Sequence, residues 1–104
     1  MYHVVFLVKK RPDMTQEDFG RYWLGEHTPL TASVAGVRSY RCYPALPGQD
    51  DSPFDGVAVL SFDDKAACDA AMASPAFAAA LADAPNFQDT AATASFFADE
   101  RVVV

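Results

Sequence analysis

His27 lies one helical turn past Trp23 and two past Phe19, so a helix through this stretch carries all three side chains on one face. An imidazole titrates near neutral pH, and one held at a pocket wall beside aromatic rings can take a proton from a bound molecule or return it. The structural alternative is a histidine satisfied by a backbone carbonyl at a helix break. Tyr40 offers the complementary group, a phenol able to donate a hydrogen bond to a carbonyl or enolate oxygen. Its alternative is a tyrosine that packs across neighbouring strands. With His27 as proton carrier and Tyr40 as donor, the chemistry such a pair would support is proton transfer to and from a small bound molecule.

Other residues are candidates for the wall of such a pocket. Phe19 reads first as core, whereas Trp23 can serve both core and ligand, with an indole N–H that seeks a partner. Cys42 shares a strand face with Tyr40 and can line the same space, but no basic neighbour is evident to make its thiol reactive. His3 is either a second acid–base group or a hydrogen-bonded residue of a dimer face. Asp55 is either the carboxylate that orients His27 or a turn residue at the start of a strand. Arg38 and Arg41 can grip a carboxylate substrate or stand as solvated charges.

The elements that must position these residues are legible in outline. Residues 2–10 alternate as a strand apolar on both faces, with Tyr2, Val4, Phe6 and Val8 on one and His3, Val5 and Leu7 on the other. Thr15 caps a helix, with Asp18 three residues later and Met14 and Phe19 placed for a hydrophobic staple. Pro29 lacks a donor and disfavours the α region at Thr28. A break or kink is therefore expected just after His27, with Thr28 capping a second short helix. Residues 37–46 and 55–62 read as strands separated by a loop through Pro47, Gly48 and Pro53. Asp63 or Asp64 caps an Ala-rich helix from Lys65 to Met72, Ser74 and Pro75 start another that ends near Leu81, and residues 91–98 and 101–104 are strand-like.

The order βαββαβ predicts an α+β fold, a ferredoxin-like four-stranded antiparallel sheet with two helices on one face, formed by a single domain over residues 1–104. Because several strands are apolar on both faces, the uncovered face is expected to pair with a second copy as a homodimer.

Composition bounds the function. At 104 residues with 21% charged residues, the chain can bury a core without staples. A formal net charge of −6 and the lack of a basic stripe argue against a nucleic-acid partner. No run of eighteen apolar residues is present, and Met1 leads straight into strand-like sequence. Neither a membrane span nor a secretion signal is visible, and a cytoplasmic location is the expectation. Cys42 and Cys68 are too few for a disulfide framework. Two histidines far apart, with no clustered carboxylates and no glycine-rich phosphate loop, support neither a metal nor a cofactor site.

Several motifs together resemble the EthD-like proteins of the dimeric α+β barrel superfamily. They are a strand ending in Lys9-Lys10-Arg11-Pro12; then Thr15, Phe19, Trp23, His27, Pro29 and Leu30; then Gly36-Val37 with Tyr40; and Phe54-Asp55-Gly56-Val57 followed by Leu60, Phe62 and Asp63. The resemblance covers nearly the whole chain. It implies a ferredoxin-like fold, a dimer whose sheets face each other, and a pocket for a small organic ligand between sheet and helices. It also implies a role in catabolism of small molecules or in polyketide tailoring, where cofactor-free lactone isomerases and dehydratases occur. Of the pocket histidines and cysteine used by methylisomerase-type relatives, only His27 has a matching position. Two rival functions remain at this level: a non-catalytic small-molecule binder or auxiliary protein of a degradation pathway, and a haem-dependent oxygenase of related fold.

Overall fold

The computed structural model describes residues 1–104. Its strands are β1 (Tyr2–Val8), β2 (Ser39–Pro44), β3 (Gly56–Phe62) and β4 (Ala94–Asp99), joined in one antiparallel sheet of order β2-β3-β1-β4. The fold is the ferredoxin-like α+β arrangement. The helical layer consists of α1 (Gln16–Tyr22), a π-helical turn over Trp23–His27, α2 (Thr28–Ala32), α3 (Lys65–Met72) and α4 (Pro75–Asp83). A 3-10 turn at Ala84–Asn86 then leads towards β4.

Register fixes which side chains meet. Tyr40, Leu60, Val4 and Phe97 form one cross-strand row, and Cys42, Ala58, Phe6 and Ser95 form the next, all on the helix-covered face. The intervening row of Arg41, Val59, Val5 and Phe96 points to the uncovered face. The first strand is therefore less symmetric than its composition suggests: Val4 and Val8 are buried, while His3, Val5 and Leu7 are half-buried.

The covered face carries two apolar clusters. Val4, Leu60, Phe62, Cys68, Ala71 and Phe77 pack beneath α3 and α4, and Val8, Phe19, Trp23, Ala58 and Phe87 pack beneath α1. Phe6 and Tyr40 touch both clusters from the sheet. Phe19 and Trp23 are almost fully buried, and each side chain of this size contributes roughly 1.5–3 kcal/mol by leaving water. Trp23 approaches β3 so closely that a Cβ on Gly56 would lie 2.4 Å from its ring. Glycine at the head of β3 is what lets the indole lie against the sheet.

Helix caps follow the sequence. Thr15 accepts from the Asp18 amide, Asp64 from the Ala67 amide and Ser74 from the Phe77 amide. Four expectations need correction. The helix does not break after His27, because Thr28 remains α-helical at φ −57° and ψ −36°. The backbone widens instead into a π turn, in which the Thr28 amide donates to the Trp23 carbonyl. Pro29 cannot serve the Leu24 carbonyl, and the Thr28 hydroxyl donates to it at 2.7 Å, so Thr28 repairs the proline gap rather than capping a new helix. The last helix runs on past Leu81 to Asp83, and the 101–104 tail forms no strand.

Candidate functional site

A cavity of about 430 Å³ opens at the seam between the two apolar clusters. Its floor is the sheet, through Phe6, Val8, Tyr40, Ala58 and Leu60. One wall is the helix carrying Trp23, His27 and Thr31, and the other is α4 with Phe77, Ala80 and Leu81. The segment after α4 forms the rim through Gln88, Thr90 and Thr93. Eleven of the eighteen lining residues are hydrophobic, so the few polar groups determine how a molecule is oriented inside.

His27 is the best-supported of those groups. Its side chain is only 10% exposed, and Nδ1 lies 2.9 Å from Asp83 Oδ2 at the end of α4. The ring rests on Phe87, with centroids 4.7 Å apart and planes inclined at 50°. Nε2 lies 3.4 Å from the Thr31 hydroxyl, one helical turn further along the same face. The π turn matters here, because it carries the helix past Pro29 without a break and keeps Thr31 in phase with His27.

Asp83 collects further donors. The Tyr22 hydroxyl donates to Oδ1 at 2.6 Å, and Asn86 Nδ2 donates to the same oxygen at 3.0 Å and to Tyr22 at 3.3 Å. Burial alone would push the carboxyl up, but the bonds from Tyr22, Asn86 and His27 together hold it below the usual carboxylate range. Asp83 is therefore ionised at neutral pH. A carboxylate has only acceptors, so Nδ1 of His27 carries a proton, and in the neutral form of the ring Nε2 is the nitrogen with the lone pair. The phenol of Tyr22 is in turn raised above its ordinary value, chiefly by its bond to Asp83.

Burial likewise pushes the Tyr40 phenol well above its usual range, an effect that neighbouring Thr31 and Trp23 oppose only in part. It stays neutral and keeps its O–H as a donor on the cavity floor. His27, Tyr40 and Trp23 thus converge on one space. Phe19 does not reach that space: it sits behind Trp23, with ring centroids 5.5 Å apart, and against Phe87. Cys42 shares the face of Tyr40 but packs on the Phe19–Trp23 cluster outside the cavity, and burial raises its thiol.

His3 lies on the opposite face of the sheet, where Nδ1 is 2.7 Å from Ser61 Oγ and Nε2 is buried without a partner. Asp55 sits at the head of β3 beside the end of β1, accepts the Lys10 amide at 2.9 Å and pairs with Lys9 Nζ at 3.5 Å. It therefore fastens the strands, and the carboxylate that reaches His27 is Asp83. Arg38 pairs with Asp63, and Arg41 faces the uncovered side, so neither guanidinium enters the cavity. Nowhere do three His, Cys, Asp or Glu side chains gather as a metal-binding group.

The sequence held signals for two of the groups it did not reveal directly. Thr31 extends the Phe19, Trp23, His27 series by another four residues. Asp83 is the only charged residue in α4, an otherwise apolar helix, and Asn86-Phe87 follow it within one turn.

Comparison with known proteins agrees with this fold. A structure of an EthD family protein from Bacillus halodurans superposes with a TM-score of 0.79 at 20% identity, over 97% of this chain and 100% of that one. A dimeric ferredoxin-like protein of unknown function from Thermobifida fusca gives 0.74 at 16% identity, over 95% and 90% of the two chains. A structure described as an antibiotic biosynthesis monooxygenase gives 0.66 at 16% identity, over 98% and 100%. At these identities the likeness is one of fold. A search of curated protein sequences finds no match. No helix is long and apolar enough to cross a membrane. The sequence model of the EthD domain matches residues 11–91, a span that holds His27, Tyr40 and Asp83, and the chain belongs to the EthD family.

Proposed function

We propose that the cavity is a proton-transfer site for a small cyclic ketone or polyketide-like compound, worked by His27 without a cofactor, in an isomerase or a lyase of the dehydratase type. The observation that carries this reading is the His27–Asp83 pair. A carboxylate with two further donors holds Nδ1–H, which leaves Nε2 as a base at the wall of an apolar cavity. In the step proposed, the C–H bond next to the substrate carbonyl breaks and its proton passes to Nε2. The electron pair moves into the new C=C bond, and the negative charge falls on the carbonyl oxygen. The neutral Tyr40 O–H donates to that oxygen. Asp83 steadies the imidazolium that forms and is not itself protonated. Return of the proton to another carbon gives an isomerase, and loss of a β-hydroxyl group as water gives a dehydratase.

Exchange of the C1 protons of 2-tetralone in D2O, followed by NMR, tests the step. The protein should accelerate exchange, and the His27→Ala variant should not. Acceleration that survives in a folded His27→Ala variant would overturn the assignment. Binding of the ketone with no acceleration by the native protein would identify a non-catalytic binder instead.

The uncovered sheet face is proposed to pair with a second copy of the chain. Phe96 and Tyr43 stand there 51% and 53% exposed, next to Val5, Val57 and Val59, and the Thermobifida neighbour is described as dimeric. Light scattering should give twice the chain mass for the native protein and a shift towards the monomer for Phe96→Asp. A native monomer at micromolar concentration would refute the pairing.

A further inference from the structure

The charges around the cavity select against an anionic ligand. None of the eighteen residues that line it is Lys or Arg, and none is Asp or Glu. Of the chain's eight basic side chains, six are already engaged with carboxylates elsewhere: Lys9 with Asp55, Arg11 with Asp13, Arg21 with Glu17 and Asp18, Arg38 with Asp63, Lys65 with Asp69, and Arg101 with Asp99. Arg41 points from the other face of the sheet, and Lys10 does not line the cavity. Asp83, 14% exposed, stands outside this lining as an ionised carboxylate behind His27. An imidazolium formed on His27 is balanced by that carboxylate, so the pair offers an anion no net positive charge.

A carboxylate entering this space would lose its hydration, face apolar walls and sit near a second carboxylate. The net charge of −6 adds a repulsive field at longer range. What the site does provide is uncharged: the Tyr40 and Thr31 hydroxyls and the His27 ring inside, and Gln88, Thr90 and Thr93 at the rim. At about 430 Å³ the cavity has the volume of roughly fourteen waters, which suits a molecule of one or two rings.

From this we infer that the ligand is electrically neutral, a mono- or bicyclic ketone or phenol, and that the site discriminates against its carboxylated counterpart. The inference rests on the reading of this cavity as the ligand site. It goes beyond that reading by assigning the charge class of what binds, and it removes a carboxylate grip by Arg38 or Arg41 from consideration.

Calorimetric titration with 2-tetralone and with tetralin-2-carboxylate at neutral pH tests it. The ketone should bind about tenfold or more tighter than the acid. Thr90→Lys places a cation at an exposed rim position and should raise the affinity for the acid. Equal or tighter binding of the acid by the native protein would overturn the inference, as would an acid affinity that Thr90→Lys leaves unchanged or binding of neither compound. The two readings fail separately. Selective binding of the ketone without deuterium exchange removes the proton-transfer step alone, while exchange with no preference between the compounds removes the charge selectivity alone.

Discussion

The two histidines stand on opposite sides of one sheet, and the contrast between them separates an imidazole held by a carboxylate from one held by a hydroxyl. His3 meets Ser61 directly across the β1–β3 ladder, a contact that strand register alone produces. Its other nitrogen is buried without a partner, and no carboxylate holds the ring. His27 meets Asp83 across 56 residues of chain, at a distance set by how α4 packs on the helix of His27. There one nitrogen is held by an ionised carboxylate with two further donors, the other lies 3.4 Å from the Thr31 hydroxyl, and both residues line the cavity. His27 is buried and His3 half-buried, and each borders a hollow on its own side of the sheet. What distinguishes them chemically is the group behind the ring.

The contrast can be broken from either side. The largest effect is expected for His27→Ala, which should lower the exchange rate by about 10²–10⁴-fold, the usual contribution of a positioned acid–base group. Circular dichroism should show the fold retained, and equal losses from His3→Ala would erase the distinction. Next is Phe19→Ala, which empties the layer behind Trp23 and should cost about 3–5 kcal/mol in denaturant titration. A cost near zero would mean that the cluster beneath α1 does not hold the site wall.

Asp83→Asn sharpens the comparison through pH. The folded-state carboxyl lies below its unfolded value, so its stabilisation is present above the ordinary carboxylate range and is lost as pH falls through the folded value. Acid unfolding of the native protein should therefore include a component that Asp83→Asn lacks. Identical acid limbs for the two proteins would show that the carboxylate is not selectively held. The smallest effect is expected for His3→Ala, with deuterium exchange unchanged and a stability change within about 1 kcal/mol, the net worth of a single neutral hydrogen bond.

Local rules carried much of the fold. Thr15, Asp64 and Ser74 cap where side-chain oxygens can reach the third amide, and period-two alternation assigned Tyr40 and Cys42 to one face and Arg41 and Tyr43 to the other. Helix periodicity aligned Phe19, Trp23 and His27. The same rules failed at Pro29, because a proline can break a helix or be absorbed by a π turn. The outcome turned on whether the Leu24 carbonyl found another donor, which the Thr28 hydroxyl supplied. Periodicity alone does not separate Phe19 from Trp23, but residue type does: the indole reads as serving both core and ligand and Phe19 as core, and only Trp23 lines the cavity.

The sequence by itself determined the order of elements, the face each strand residue takes and the helical stripe that carries His27, because these depend on interactions a few residues in range. Only the tertiary structure decided which carboxylate stands behind that imidazole. The sequence points to Asp55, and the carboxylate found there is Asp83, which depends on where α4 ends over the sheet. Tertiary packing decided only part of the cavity's lack of cations. The pairs of Arg11, Arg21, Lys65 and Arg101 are local in the chain and alternation turns Arg41 to the other face, whereas Lys9 with Asp55 and Arg38 with Asp63 join distant parts of the chain.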